Sequence, residues 1–98
     1  MTKIYCFISG NSGSFFRESA LDQLTMLHTA CALTEKGKWI AGAVSQESDT
    51  ALERVAEMAR RKAPDMLSGP SECVVVHEEF DLVPEVMRAL ELALVNMP

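Results

Sequence analysis

Several features are missing from this 98-residue sequence, and each absence narrows what the protein can be. Its three cysteines are odd in number and lack the spacing of a disulfide framework, which indicates reduced thiols. The apolar run from Ile4 to Ile8 is too short for a secretion signal or a membrane span. No linker or repeat divides the chain. We therefore expect a cytoplasmic protein with a single domain over residues 1–98.

No catalytic motif is present either, which favours a protein that is not an enzyme. Cys6 and Cys73 lie inside apolar strand-like runs, where a thiol stays protonated and unreactive. Glu78 and Glu79 are adjacent, so in a strand they project to opposite faces and cannot act together as acid and base.

A zinc site has the right residue types but the wrong spacing. His28, Cys31, Cys73 and His77 are all chemically suited to zinc, yet their spacing is not that of a familiar zinc finger. If residues 26–33 form a strand, His28 and Cys31 point to opposite faces, although Cys73 and His77 share one. We expect no metal and no cofactor.

Charge is the most informative property that is present. Residues 1–71 have eight acids and eight bases, so residues 72–98 hold the whole net charge of −5. An acidic region of this kind repels nucleic acid and anionic lipid and attracts basic surfaces. It predicts a partner protein with a basic surface rather than a nucleic acid or a membrane.

The first third of the chain begins with a strand. Residues 3–9 are apolar on both faces, which predicts a central strand covered on both sides. A glycine-serine loop follows, and residues 15–24 are compatible with a short helix capped by Ser14. Residues 24–37 fit either a helix or the first strand of a hairpin, with Gly37 supplying a positive φ in its turn. We favour the hairpin, whose second strand is residues 38–45.

Two helices are expected in the rest of the chain. A helix over residues 50–63 would begin with a Thr50–Glu53 capping box, bury a stripe from Leu52 to Ala63, and end at Pro64. Residues 72–80 predict a strand. Asp81 would cap a last helix with Pro84 in its first turn. The inner face of this helix would consist of apolar residues at helical spacing: Val83, Val86, Met87, Leu90, Leu94 and Met97.

The resulting order, β-α-β-β-α-β-α, predicts an α+β fold of ferredoxin-like architecture with an added C-terminal helix. If residues 24–37 are helical, the alternative is an α/β fold, β-α-β-α-β-α, around a three-stranded parallel sheet. The two interpretations differ in whether the sheet contains antiparallel strands.

The hairpin segment resembles a pattern in small uncharacterised proteins of phages and prophages. In that pattern a strand ends in Ala-Leu, an acidic residue precedes a turn glycine, and a second strand closes near serine before a helix. The matching stretch is His28-Thr29-Ala30-Cys31-Ala32-Leu33-Thr34-Glu35-Lys36-Gly37-Lys38-Trp39-Ile40-Ala41-Gly42-Ala43-Val44-Ser45, within residues 26–48. It departs from the pattern at Lys36, where Asp or Asn is favoured. The resemblance implies a mobile-element origin and a protein that binds a host protein, as anti-CRISPR inhibitors do.

These observations lead to a first hypothesis, a small inhibitor or modulator that docks on a basic surface of a host protein. Apolar anchors would be Trp39 at the hairpin tip and Leu92 and Val95, which interrupt the polar face of the last helix. Charge contacts would come from the acids around them: Glu78, Glu79, Asp81, Glu85 and Glu91.

The alternative hypothesis is a homo-oligomeric domain that binds a small ligand. A turn follows the first strand and, if it led into a helix, its N–H groups could hold an anion. It lacks the spacing of a phosphate-binding or dinucleotide-binding loop. The ligand residues would be Gly10, Asn11, Ser12, Gly13 and Ser14.

Overall fold

The computed structural model of the chain describes residues 1–8, 14–18, 24–77 and 84–96. These residues form five strands and two helices. In chain order the elements are β1 (Thr2–Ile8), β2 (Ser14–Glu18), β3 (Leu24–Thr34), β4 (Trp39–Ser45), α1 (Ser48–Met66), β5 (Ser71–Val75) and α2 (Pro84–Val95).

The long strand β3 organises the sheet. Its C-terminal half pairs antiparallel with β1 and its N-terminal half pairs antiparallel with β2. His28 pairs with both β2 and β4, and residues 30–33 pair with both β1 and β4. Because a strand has only two edges, β1 and β2 must share one edge of β3 while β4 takes the other. The sheet is therefore four strands wide, in the order β4-β3-β1-β5, with β2 continuing the line of β1.

Strand β1 is central and is buried on both faces, as its sequence predicted. It pairs antiparallel with β3 and parallel with β5. Ile4 and Cys6 belong to a core cluster with α1, whereas Tyr5 and Phe7 belong to a second cluster with α2. The period-two alternation of a strand thus supplies two separate cores.

Helix α1 covers one face of the sheet with small side chains. Its inner residues Ala51, Leu52, Val55, Ala56, Ala59 and Ala63 are buried, which confirms the predicted stripe. They meet alanines of β3 and β4, so the helix lies close to the sheet.

Both predicted ends of α1 were wrong. The helix begins at Ser48 with Glu47 as N-cap and no side-chain cap bond; the Thr50 hydroxyl instead lies 3.4 Å from a Glu47 carboxylate oxygen. Pro64 lies inside the helix, which runs on to Met66. The last turn is held by the Leu67 N–H donating to the Ala63 carbonyl, and by the Lys38 ammonium donating to the Met66 carbonyl. These bonds satisfy two of the carbonyl groups at the C-terminal end of the helix.

The fold is α+β, as expected, but the ferredoxin-like order is wrong. Residues 14–18, predicted as the start of a helix, form β2 and pair with Leu24–His28. The two adjacent phenylalanines favour a strand, and the length of β3 provides a pairing partner that the local pattern did not reveal. The hairpin of β3 and β4 is confirmed, with Gly37 at φ +82° in its turn. The antiparallel pairs also exclude the parallel-sheet alternative.

No helix in the described part of the chain is long and apolar enough to cross a membrane.

Candidate interaction groove

The two faces of strand β4 differ sharply in exposure. Ile40 and Ala41 both face α1, because a β-bulge opposite Ala32 and Leu33 breaks the alternation of the strand there, and they are 1% and 0% exposed. Trp39 and Val44 belong to the other face, where they pair with Leu33 and Thr29, and they are 53% and 42% exposed. Helix α2 lies on that second face but leaves this edge strand largely uncovered.

Helix α2 is rotated relative to the prediction. Its buried side consists of Val86 and Ala89, with Leu90 and Ala93 packed at the edge of the same cluster. Met87 and Leu94 were expected to face inward, but they are 51% and 68% exposed. The small side chains Ala89 and Ala93 face the sheet because the hairpin tip approaches the helix there.

A groove of about 630 Å³ lies between β4 and the C-terminal half of α2. Its apolar lining includes Leu33 from β3, Trp39 from β4 and Leu94 from α2. Polar residues are added by the hairpin turn and by the end of the helix. The full lining is Cys31, Leu33, Lys36, Gly37, Lys38, Trp39, Leu90, Ala93, Leu94 and Asn96.

Gly37 fixes the helix side of this groove. A Cβ atom at this position would lie 2.6 Å from the Ala93 nitrogen and 2.9 Å from the Ala89 carbonyl oxygen. Backbone therefore packs directly on backbone, and only glycine allows both this contact and the positive φ.

Gly42 fixes the strand side. A Cβ atom there would lie 2.7 Å from Cζ2 of Trp39, so the indole ring rests directly on the bare backbone of β4. A glycine inside a strand usually weakens it, and here it makes room for the ring. Both glycines of the hairpin thus shape the groove.

The charge of the groove is opposite to that of the whole chain. Its described lining contains Lys36 and Lys38 and no acid, although the chain has fourteen acids against nine bases. The Lys38 ammonium donates to the Met66 carbonyl at 2.9 Å, which directs it to the end of α1. Lys36 lies exposed in the turn and is the second cation of the lining.

The predicted acidic contacts are only partly described by the structure. Glu78, Glu79 and Asp81 lie outside the described residues. Glu85 and Glu91 are exposed on α2, but six residues separate them, which places them about 120° apart around the helix. Leu92 and Val95 are 37% and 79% exposed on the outer side of α2. The described acids thus border the apolar anchors without forming one concentrated patch.

The three cysteines lie on both faces of the sheet. Cys6 and Cys73 belong to the cluster under α1, whereas Cys31 belongs to the cluster under α2. Burial, with a further contribution from Cys73 nearby, raises the pKa of the Cys6 thiol to about 12, so it is protonated at neutral pH. In the described part of the chain, no three His, Cys, Asp or Glu side chains are placed to hold a metal ion.

A second cavity, of about 500 Å³, lies between α1 and β5. Its lining carries both signs of charge, with Asp49 and Glu53 near the start of α1 and Arg60 near its end. His77, which follows β5, also lines it.

The loop proposed for the alternative ligand-binding function falls mostly outside the described residues, which omit residues 10–13. Ser14 begins β2 rather than a helix.

Comparison with known proteins adds no relative: no protein-family model, curated protein or solved structure matches the chain.

Sequence reasoning found Trp39 but missed the rest of the groove, especially Leu94 and Lys36. A signal for it does exist in the sequence. Ala89 and Ala93 are four residues apart, so they form a flat strip on one side of the helix. Another segment of backbone can pack closely against such a strip. When this strip faces the sheet, Leu94 is turned outward.

Proposed function

We propose that this protein is a small non-enzymatic protein-binding module, and that the groove between β4 and α2 anchors its partner. One observation carries the proposal. Trp39 and Leu94, both more than half exposed, line the same apolar groove. Exposed apolar surface of this kind marks interaction sites, and tryptophan is the residue most enriched among binding hot spots.

The rigidity of the groove supports a binding role. Gly37 and Gly42 hold its two sides by close contacts with backbone and with the indole ring. A surface that is already ordered loses little conformational entropy when a partner docks, so more of its contact energy appears as affinity.

The outer side of α2 extends the proposed interface. Val95 would add apolar contact beside Leu94, whereas Leu92 lies about 160° from Leu94 around the helix and would be reached only by a partner that wraps around α2. Glu85 and Glu91 would steer a partner whose surrounding surface is basic. Glu78, Glu79 and Asp81 belong to the same proposal. The resemblance of the hairpin to phage proteins makes a bacterial host protein the first partner to test, in the manner of an anti-CRISPR inhibitor.

The test is affinity capture from bacterial lysate, at low and high salt, followed by quantitative mass spectrometry. Wild-type protein is compared with Leu94→Asp and with Met87→Asp. These two side chains are similarly exposed on the same helix, but only Leu94 lines the groove. We expect a partner that wild type and Met87→Asp retain and that Leu94→Asp loses, with weaker capture at high salt.

Three results would contradict the proposal. The first is capture of the same proteins by all three forms, which would place binding elsewhere. The second is the absence of any protein enriched by wild type over an unrelated acidic protein of similar size. The third is loss of the partner with Met87→Asp as well, which would show that the groove is not the anchor.

A further inference from the structure

We propose that the same groove is a binding site for a small carboxylate amphiphile, a molecule with an apolar body and one carboxylate head. The binding of this ligand does not depend on the protein-binding function proposed above. The regulatory effect of the ligand does rest on that function: if it is correct, the ligand would compete with the partner and regulate docking.

The body of the groove has the size and lining that such a molecule requires. Small-molecule sites usually enclose about 300–1,000 Å³ and are mostly apolar with a few polar groups. This groove has about 630 Å³, and Leu33, Leu90, Leu94 and Trp39 supply its apolar surface.

The polar end of the groove selects the head group. Lys36 lies in the hairpin turn and Asn96 follows the last residue of α2, so the polar lining comes from the turn and the helix end. No acid is among the described lining residues, in a chain whose net charge is −5. A carboxylate beside the turn would be attracted by Lys36 and a cationic head there would be repelled, whereas the carbonyl end of α2 near Asn96 would oppose an anion.

The chain contains a built-in reporter for this site. Trp39 is its single tryptophan and it lines the groove, so intrinsic fluorescence reports occupancy without a label. Three probes with the same ten-carbon tail separate the head-group effect from the apolar effect: decanoate, decanol and decyltrimethylammonium, each below its micelle concentration.

We expect a saturable fluorescence change with decanoate, and affinity about tenfold weaker for the ammonium probe. Lys36→Gln should weaken decanoate about fivefold and leave decanol unchanged, since it removes only a partly exposed charge contact. Leu94→Asp should weaken decanoate at least tenfold, because it places a carboxylate in the apolar lining. Met87→Asp, outside the groove, should bind like wild type.

Equal affinity for the anionic and cationic probes would overturn the inference, and so would unchanged decanoate binding by Leu94→Asp. If circular dichroism shows that Leu94→Asp is unfolded, Lys36→Gln still tests the inference, because it alters an exposed turn residue and should leave the fold intact. If decanoate fails to bind while protein capture still depends on Leu94, this inference falls and the protein-binding proposal stands. If decanoate binds but no partner depends on Leu94, this inference stands and the protein-binding proposal falls.

Discussion

The two faces of the sheet are covered in different ways. Helix α1 has 19 residues, about 28 Å of helix, and it contacts β1, β3, β4 and β5. Helix α2 has 12 residues, about 18 Å, and its main strand contact is with β3. The longer helix covers β1, β3 and β4 and leaves a cavity beside β5, whereas the shorter one leaves the edge strand β4 open on the other face.

Side-chain size follows the same division. Under α1 the contact is mostly alanine on alanine, which brings helix and sheet together without leaving surface exposed. Under α2 the cluster holds Tyr5 and Phe7, and the close approach is confined to Gly37 at the hairpin tip. The comparison teaches that one face of this sheet provides stability, while the other combines stability with an accessible groove.

The largest effect is expected on the closed face. Ile4 is fully buried under α1, so Ile4→Ala should lower the free energy of unfolding by about 2–5 kcal/mol, through lost burial and a residual cavity. Urea denaturation measures it. Val44→Ala, on the open face of β4, is the matched control and should change stability by no more than about 0.5 kcal/mol. Equal losses at the two sites would remove the distinction between the faces.

The second prediction concerns the single close approach under α2. Gly37→Ala would place a Cβ atom against the backbone of α2 and strain a residue with positive φ. We expect a loss of about 1–3 kcal/mol, with faster amide hydrogen exchange in α2 than in α1.

Gly69 provides the control for backbone strain. It also has a positive φ, +109°, but a Cβ atom there would meet nothing within 4 Å. Gly69→Ala should therefore show the conformational cost without faster exchange in α2. If the two variants lose equal stability and α2 exchanges alike in both, the contact between Gly37 and α2 does not hold the helix.

The sequence was sufficient for parts of the fold whose cause is local. Alternating apolar residues placed β1 at the centre, and the helical stripe from Leu52 to Ala63 identified the inner face of α1. It failed where distant contacts decide. Residues 14–18 became a strand because β3 extends far enough to pair with them, and Leu94 turned outward because Gly37 packs against Ala89 and Ala93. The spacing of large apolar residues reveals neither contact, and the only sequence signal for the second is the four-residue spacing of Ala89 and Ala93.

The third prediction uses pH to test how dry the closed face is. Burial raises the pKa of Cys6 from its ordinary value of 9.0 to about 12 in the folded state, so folding favours the protonated thiol. The associated stability is present below pH 9 and is lost as pH rises toward 12. Between pH 9 and 10 the free energy of unfolding should fall by about 1 kcal/mol.

Urea titrations of wild type and Cys6→Ala at several pH values measure this fall. A decline equally steep in both proteins would mean that Cys6 does not experience a dry environment.

The smallest effect is expected at Gly42, on the open face. A Cβ atom there would push the Trp39 ring off the strand, but about half of the ring faces solvent, so the displaced ring would meet little resistance and Gly42→Ala should cost less than about 1 kcal/mol. A clearer sign of the displaced ring is a change in Trp39 emission and in its quenching by acrylamide.

In a Trp39→Ala background the same Gly42→Ala change should become neutral or stabilising, because alanine lowers the entropy of the unfolded chain and no ring is displaced. A double-mutant cycle isolates this coupling. Zero coupling would show that Gly42 does not seat the ring, and the strand side of the groove would then lack the rigidity that its binding role requires.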